Sequence, residues 1–326
     1  MEDKDTYYQL DFNGSFVSPS QKKILSPLRY PGSKRRLSGY IEQTLRLNKL
    51  RPDLYVEPFA GGASVALNLL QKDLVEKVIL IDLDPMIAGF WEAVFCDTDW
   101  LIDQIMTIDI SLENWYRFKQ EEPKSIRENA IACLYLNRTS FSGIMRPEVG
   151  PLGGKEQKSD YPIDCRFPRE TLVNRVNQAA YHKDKVYAVW CCSWDDGMRR
   201  INNERNKGNL PDEKTFWYLD PPFFKKAEAL YRYYFEESDH RKLRDALLKV
   251  DDFWLLSYDS AESVELLYGD AIRERTNGTQ RHHIELLYSV AQKRGKEPDS
   301  EVILSNLDFL PTKNRLWKSI NGQKAE

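Results

Sequence analysis

The chain has 326 residues, with 47 Lys or Arg, 50 Asp or Glu and a formal net charge of −3. Its 41% hydrophobic and 30% charged residues are typical of an ordinary soluble globular protein. No apolar run is long enough to span a bilayer, and the first ten residues do not resemble a signal peptide. Five scattered cysteines argue against a disulfide framework. We therefore expect a cytoplasmic protein.

The near-neutral sum conceals an uneven distribution of charge. Residues 1–21 are polar, which predicts a loose N-terminal arm. From Lys22 to Arg36 six basic residues occur without an acidic one, which predicts a local positive patch.

An alternation of strands and helices follows. Leu54–Glu57 and Lys77–Asp82 read as strands, since the second is a continuous apolar run ending in an acid. Ala60–Gln71 reads as a glycine-containing turn entering a helix, and Pro85–Phe95 as another helix.

The middle of the chain has a different character. Asp99–Phe118 and Ile126–Leu136 are predicted to be helical. Arg138–Pro168 is rich in glycine, proline and charge, with little periodicity. It is too long for a plain connection, which indicates a functional insert.

The alternation then resumes and predicts an open, mainly parallel sheet, which binds ligands beyond the carboxyl ends of its strands. The predicted elements are strands Val186–Trp190, Thr215–Leu219 and Phe253–Ser257, helices Asp239–Lys249 and near Ala261–Leu267, and an antiparallel pair formed by Ile284–Val290 and Glu301–Ser305.

Two strand ends suggest a cofactor site. Gly61 and Gly62 follow Glu57 and allow the backbone to approach a ligand closely, although a plain strand–helix turn remains an alternative. Asp82 closes the next strand, where doubly wound folds place an acid that binds ribose hydroxyls. The alternative is that Asp82 or its neighbour Asp84 caps a helix. Together these features favour an adenosine-type cofactor without a pyrophosphate, such as S-adenosylmethionine.

The segment most informative about function is FWYLDPPF at residues 216–223. Pro221 and Pro222 stop the strand because they lack an N–H group. The Asp220 carboxylate and the Pro221 carbonyl are then acceptors at the edge of the sheet, beside the flat ring of Phe223. Two acceptors and a ring suit a planar group bearing NH₂, such as a nucleobase. The alternative is a strand-ending turn with a capping aspartate.

Five segments in this order resemble the site-specific DNA adenine N6-methyltransferases of the alpha-order, Dam-like class. They are LRYPGSK (28–34), YVEPFAGGASVALN (55–68), IDLDP (81–85), CLYLNRTSFSGI (133–144) and YLDPPF (218–223). The resemblance implies a Rossmann-like, S-adenosylmethionine-dependent α/β sheet with an inserted, mainly helical DNA-recognition domain. Residues 1–21 would be the arm, 22–94 the cofactor-binding half, 95–181 the target-recognition insert and 182–326 the catalytic half.

The resemblance also implies site residues. The Lys34 ammonium suits the cofactor's carboxylate, although Lys34 could instead face a DNA phosphate. Ser193 and Trp194 align loosely with contacts to the adenine ring, and a buried core tryptophan is the alternative. Phe223 replaces a frequent tyrosine but retains the stacking face. The implied cofactor residues are Tyr30, Lys34, Glu57, Pro58, Phe59, Gly61, Asp82, Ser193, Trp194 and Asp220, and the implied catalytic residues are Asp220, Pro221, Pro222 and Phe223.

Sequence specificity is expected in the insert. Arginine reads guanine and asparagine reads adenine, while phosphate contact is the alternative for each arginine. The predicted DNA-binding residues are Asn137, Arg138, Thr139, Arg146 and Lys155.

The implied reaction is methyl transfer from S-adenosylmethionine to the N6 amine of an adenine flipped out of duplex DNA. We expect a monomer without a metal and with one basic, DNA-facing side, and a cognate restriction endonuclease is a candidate partner. The alternatives are a methyltransferase acting on cytosine N4, RNA adenine or protein glutamine, and a non-catalytic DNA-binding relative. The missing GxGxxG pattern disfavours a nicotinamide dehydrogenase.

Overall fold

A computed structural model describes residues 9–10, 16–17, 24–29, 34, 37–223, 230–259, 267–268, 280–286 and 299–311. Tyr30 and most of the predicted helix near Ala261–Leu267 lie outside these residues. No helix in the described part of the chain is both long and apolar enough to cross a membrane.

A seven-stranded sheet forms the centre of the molecule. In chain order, after the short antiparallel pair β1 (Gln9–Leu10) and β2 (Phe16–Val17), its strands are β3 (Leu54–Glu57), β4 (Lys77–Asp82), β5 (Val186–Cys191), β6 (Thr215–Leu219), β7 (Phe253–Asp259), β8 (Gln280–Leu286) and β9 (Asp299–Ser305).

The spatial order is β5-β4-β3-β6-β7-β9-β8. The pairs among β5, β4, β3, β6 and β7 are parallel, whereas β9 pairs antiparallel with both β7 and β8. The predicted mixed α/β, Rossmann-like sheet is confirmed. The predicted terminal antiparallel pair is also present, although β8 begins four residues before the predicted strand.

Helices cover the sheet and form a block between β4 and β5. They are α1 (Ser38–Leu47), α2 (Ser64–Gln71), α3 (Pro85–Cys96), α4 (Thr98–Thr107), α5 (Leu112–Gln120), α6 (Ile126–Thr139), α7 (Arg169–Ala180), α8 (Trp194–Asn206) and α9 (Glu237–Leu247), with single 3₁₀ turns at Phe141–Gly143 and Lys183–Lys185.

The segment Asp99–Phe118, predicted to be helical, consists of two helices with a break between them. The backbone becomes extended at Ile108, and Ser111 starts a new helix by accepting a hydrogen bond from the Asn114 amide at 3.3 Å. A serine N-cap of this kind is a preferred helix start. The segment therefore forms α4 and α5, joined by a short turn.

Alternation of side chains along the strands gives the sheet two buried faces. Tyr55, Tyr218 and Leu255 face one way and pack with residues of α1, α2, α3, α4, α6 and α7. Val56 and Trp217 face the other way and pack with residues of α8 and α9. The helical block between β4 and β5 therefore shares its core with the first face of the sheet.

Helix α6 lies very close to α3. A Cβ atom placed on Gly89 of α3 would lie 2.8 Å from the Asn129 Cβ of α6, a distance that real Cβ atoms essentially never show. Glycine at this position permits the contact. The packing fixes α6, whose C-terminal end carries the loop predicted to read DNA.

Candidate active site

A cavity of about 250 Å³ opens at the carboxyl ends of β3, β4 and β6. Parallel sheets bind their ligands at this edge. The predicted residues that line it are Lys34, Glu57, Pro58, Phe59, Gly61, Asp82, Ser193, Trp194, Asp220 and Pro222. The structure therefore brings together both motif halves predicted to bind the cofactor and to carry out catalysis.

The glycine turn fixes one wall of this cavity. Gly61 has φ +45°, in the left-handed region that favours glycine. Its N–H group donates to Asp82 Oδ2 at 2.9 Å, and its carbonyl accepts from Trp91 Nε1 at 2.8 Å. Ala63 also adopts φ +45° just before α2, which is costly for a residue with a Cβ. The turn is held from both sides, in a conformation that exposes backbone to the cavity.

Glu57 is a buried carboxyl group at the end of β3. The Tyr55 hydroxyl donates to Glu57 Oε2 at 2.8 Å, and the Ala66 amide at the start of α2 donates to the same atom at 3.0 Å. Burial raises the pKa of Glu57 to about 8, against the opposing effect of these two donors. At neutral pH the group is therefore largely protonated and poised to ionise beside a cation.

Asp82 and Asp84 have separate roles. Asp84 caps α3 by accepting from the Met86 amide at 2.9 Å, and Arg232 Nη1 lies 2.7 Å from Asp84 Oδ1. Asp82 instead lines the cavity and accepts backbone N–H groups at both of its oxygens. Burial, followed by the charge of Asp84, raises the pKa of Asp82 to about 7. Of the two acids, Asp82 is the one placed to meet a ligand.

Asp220 stands at the end of β6 with two donors on one oxygen. Lys34 Nζ lies 3.2 Å from Asp220 Oδ1, and the Ser257 hydroxyl donates to the same atom at 3.0 Å. Lys34 is only 4% exposed and lies 5.2 Å from the centre of the Phe223 ring. A buried ammonium in this place does not face a DNA phosphate, so the alternative reading of Lys34 is not supported.

The proline turn and its aromatic neighbour complete this end of the site. Pro221 is buried, whereas Pro222 and Phe223 are partly exposed. The Phe223 ring meets the Tyr231 ring edge-on, with 5.8 Å between centroids. The arrangement leaves an aromatic corner beside the Asp220 carboxylate.

Sequence reasoning missed four aromatic residues that cover the cavity. Phe235 packs edge-on against Phe59 at 5.5 Å, which ties the segment at 230–236 to the glycine turn. Arg232 fastens the same segment to Asp84. The aromatic spacing of YRYYF at 231–235 is the signal that could have revealed it. The four residues are Tyr231, Tyr233, Tyr234 and Phe235.

Ser193 and Trp194 lie at the start of α8. The Ser193 hydroxyl caps the helix by accepting from the Asp196 amide at 3.4 Å. Trp194 is 9% exposed, lines the cavity and belongs to the apolar cluster of the second sheet face. It thus contributes both to the core and to the wall of the cavity.

Three of the five predicted DNA-binding residues are buried. Asn137 accepts from the Arg29 amide at 2.6 Å and donates to the Arg29 and Gly143 carbonyls, each at 3.0 Å. Arg138 donates to the Pro27 carbonyl, and burial lowers its pKa to about 9. The Thr139 hydroxyl donates to the Tyr135 carbonyl at 2.6 Å. The geometry argues for a positioning role for Asn137, Arg138 and Thr139, in place of the predicted contact with DNA.

The other two predicted DNA-binding residues lie on the loop beyond α6. Arg146 Nε lies 3.1 Å from Glu148 Oε2, and its side chain is partly exposed. Lys155 is exposed. Both side chains can therefore be reached from solvent. Among the residues that the structure describes, no cluster of His, Cys, Asp or Glu could hold a metal ion.

Comparisons with known proteins agree with this geometry. The type II methyltransferase M.MjaIII of Methanocaldococcus jannaschii is 27% identical over 245 residues, covering 69% of this chain and 79% of the relative. The DNA adenine methylase of Haemophilus influenzae is 29% identical over 208 residues, covering 60% of this chain and 63% of the methylase. A sequence profile for D12 class N6 adenine-specific DNA methyltransferases matches residues 30–290. A match over this much of the chain, together with the site, places it in a family: the chain belongs to the D12 class of N6 adenine-specific DNA methyltransferases.

Proposed function

We propose that this chain transfers the methyl group of S-adenosyl-L-methionine to the exocyclic N6 amine of an adenine flipped out of duplex DNA. One observation carries the proposal. Asp220, held by Lys34 beside the Phe223 ring, shares one cavity with the acids Glu57 and Asp82. The Asp220 carboxylate and the Phe223 ring suit a planar amine. Glu57 and Asp82 suit a cofactor with ammonium and ribose groups.

The donor set of the cavity fits S-adenosylmethionine. Asp82 lines the cavity at the end of β4, where doubly wound folds bind ribose hydroxyls. Glu57 is buried and can pair with an ammonium group, because a cation beside a carboxyl favours its ionised form. Phe59 and Trp194 supply apolar walls for an adenine ring. When bound, the cofactor supplies an activated methyl group, and Tyr30 remains a proposed contact.

Asp220 and the Pro221 carbonyl are proposed to accept hydrogen bonds from the target amine. The lone pair of that amine is delocalised into the base, and two acceptors favour its localisation on nitrogen. Phe223 stacks on the base and sets its plane. These groups hold the amine in line for attack, and such positioning supplies much of the acceleration.

A base within a duplex cannot reach a cavity at the edge of a sheet, so the target must leave the stack. Arg146 is partly exposed and Lys155 is exposed, so solvent reaches both of these predicted contacts, and we assign them to DNA. Asn137, Arg138 and Thr139 are proposed to position the loop that carries them. We propose residues 95–181 as the recognition insert, between a cofactor-binding half at 22–94 and a catalytic half at 182–326.

The family match disfavours the alternatives of cytosine N4, RNA adenine and protein glutamine as methyl acceptors. A non-catalytic relative is disfavoured by the assembled pair of Asp220 and Lys34. One chain supplies the cavity, the acid and the loop, so we propose a monomer. The type II designation of one relative suggests a cognate endonuclease as a partner.

Incubation with labelled S-adenosylmethionine and PCR-amplified, mixed-sequence DNA tests the proposal. Nucleoside digests should contain N6-methyladenine, and equal competition by RNA would point to an RNA substrate instead. Asp220→Ala should abolish transfer while calorimetry still detects cofactor binding. Asp251→Ala, which removes an exposed acid elsewhere, is the matched control. No methyladenine across diverse DNA would overturn the proposal.

A further inference from the structure

Ser257 is a fully buried serine on β7 beside the proposed catalytic acid. Its hydroxyl donates to Asp220 Oδ1 at 3.0 Å, and the Tyr218 hydroxyl oxygen lies 3.0 Å from Ser257 Oγ. A serine hydroxyl has a single hydrogen, which here points to the carboxylate. Tyr218 must therefore donate to Ser257, and the hydrogen bonds run in one direction from Tyr218 through Ser257 to Asp220.

Strand register explains why these groups meet. In the parallel pair β6–β7, Tyr218 lies opposite Leu255 and Leu219 opposite Leu256. One step further places Asp220 opposite Ser257. Because side chains alternate along a strand, Ser257 points to the same face as Tyr218 and Asp220.

Two donors on one carboxylate oxygen restrict rotation of the group. Lys34 and Ser257 approach Asp220 Oδ1 from different elements, the segment before α1 and the strand β7. Their fixed positions set the plane of the carboxylate and hence the direction of its second oxygen. An acceptor that must meet an amine in line for attack depends on this orientation, since small misplacements are costly in rate.

We propose that Ser257 is a positioning residue that orients the Asp220 carboxylate toward the target amine, supported from behind by the Tyr218 hydroxyl. This inference rests on the proposed catalytic function of Asp220. A purely structural role is the competing explanation, because a buried serine that loses its partner also lowers stability.

A matched control separates the two explanations. Ser305 on β9 is also fully buried, and its hydroxyl donates to the Trp254 carbonyl at 2.6 Å. Ser305→Ala removes this bond and the one that the hydroxyl oxygen accepts from the Leu307 amide at 3.2 Å, so it loses two buried hydrogen bonds, as Ser257→Ala does, without touching Asp220. Both alanine variants should unfold at similar denaturant concentrations.

The experiment uses the full chain with PCR-amplified, mixed-sequence DNA. It measures kcat, the KM for DNA, the KM for S-adenosylmethionine and the affinity for S-adenosylmethionine. Ser257→Ala should lower kcat by about 10- to 100-fold, as expected for losing a hydrogen bond to a charged group. Its KM values should change less than about threefold, because substrate binding is retained. Ser257→Thr should restore most of the rate.

Tyr218→Phe is a second, independent variant, and it should lower kcat by a smaller factor than Ser257→Ala. If both alanine variants reduce kcat equally, or if Ser257→Ala raises KM alone, the positioning role is overturned. If the unmodified chain yields no methyladenine, the proposed function itself fails, and that outcome is recognised before any variant is compared.

Discussion

Lys34 Nζ lies 3.2 Å from Asp220 Oδ1, so the first and last motifs of the chain meet in one partly buried ion pair. The Lys34 side chain is 3% exposed and that of Asp220 22% exposed. We propose that the Lys34 ammonium acts at the catalytic end of the cavity, as the counterion of the proposed acceptor.

We predict that Lys34→Met lowers both the free energy of unfolding and the rate of methyl transfer. Removing one partner of a fully buried pair costs about 3 kcal/mol. The cost here should be smaller, because the remaining Asp220 carboxylate is 22% exposed. Urea denaturation and single-turnover methylation measure the two effects. In an Asp220→Asn background the same substitution should cost much less stability. An equal cost in both backgrounds would show that the ion pair is not the cause.

The Glu57 carboxyl predicts a pH dependence of stability in the ligand-free protein. Its folded pKa of about 8 lies above the ordinary value of 4.5, so the folded state holds a proton that the unfolded chain releases. The resulting stabilisation is complete below pH 4.5 and is lost as the pH rises through about 8. One such group changes the free energy of unfolding by at most about 1.4 kcal/mol per pH unit.

Urea unfolding at pH 7 and pH 8 brackets this titration, and comparison with a Glu57 variant separates it from that of Asp82, whose raised pKa is about 7. Glu57→Gln, which stays neutral, should show a shallower decline than the unmodified chain. Calorimetry of S-adenosylmethionine binding at pH 7 in phosphate and Tris should also reveal proton release, which should be smaller in the variant because only Asp82 can then contribute. Identical pH profiles for the two proteins would contradict the assignment.

Substitutions of Asp82 and Asp84 should have different effects, the first mainly on cofactor binding and the second mainly on stability. Asp82→Asn is expected to weaken S-adenosylmethionine binding by about tenfold or more, as loss of a charged hydrogen-bond acceptor does. Asp84→Asn keeps an N-cap residue but breaks the ion pair with Arg232, so it should reduce stability and weaken affinity less than Asp82→Asn does. Calorimetry and urea unfolding distinguish the two. The reverse pattern would make Asp84 the ribose ligand.

The sheet and the ends of its strands could be predicted because periodicity and motif chemistry agree there. Thr215–Leu219 is an apolar run stopped by an acid and two prolines, and the structure has this strand with the predicted bounds. Helix α8 was not predicted, because its buried residues are few among many charged and amide side chains. Helices α1 and α7 were likewise missed.

Long-range contacts account for what the motifs could not reveal. Ser257 acquires its role only through the register of β6 against β7, and Asn137 through contacts with Arg29, far earlier in the chain. A sequence shows the chemistry of each side chain but not whether it is already satisfied by backbone. Asn137, close to a loop, was therefore predicted to contact a DNA base. In the structure, its side-chain oxygen and nitrogen both form hydrogen bonds with the backbone.

Asn137→Ala should act on stability and on the placement of the segment that leads to Lys34. Its amide holds both backbone groups of Arg29, and buried groups left without a partner cost about 1–3 kcal/mol each. We expect a lower free energy of unfolding and a slower reaction on every DNA sequence. Asn209→Ala at the surface is the control. Unchanged stability with an altered target sequence would restore Asn137 as a base reader.

We predict that Lys155 contributes to the salt dependence of DNA affinity. An exposed lysine that neutralises one phosphate contributes about 0.9 to the slope of log affinity against log salt concentration. Lys155→Ala should therefore reduce the slope by about one and weaken binding equally on all sequences, because phosphate contacts carry no base information. Fluorescence anisotropy over a series of salt concentrations measures the affinity for each DNA sequence and the slope of its salt dependence.

The control for this prediction lies at the opposite end of α6. Lys124 is also exposed but precedes the helix, whereas the loop with Lys155 follows it. A helix of 14 residues is about 21 Å long, so one DNA surface centred on the loop should not depend on Lys124. Lys124→Ala should leave the slope unchanged. An equal reduction of the salt slope by both substitutions would mean that DNA binding follows the net charge of the chain. If the DNA affinity of the unmodified chain did not depend on salt, the prediction of a basic, DNA-facing side would be wrong.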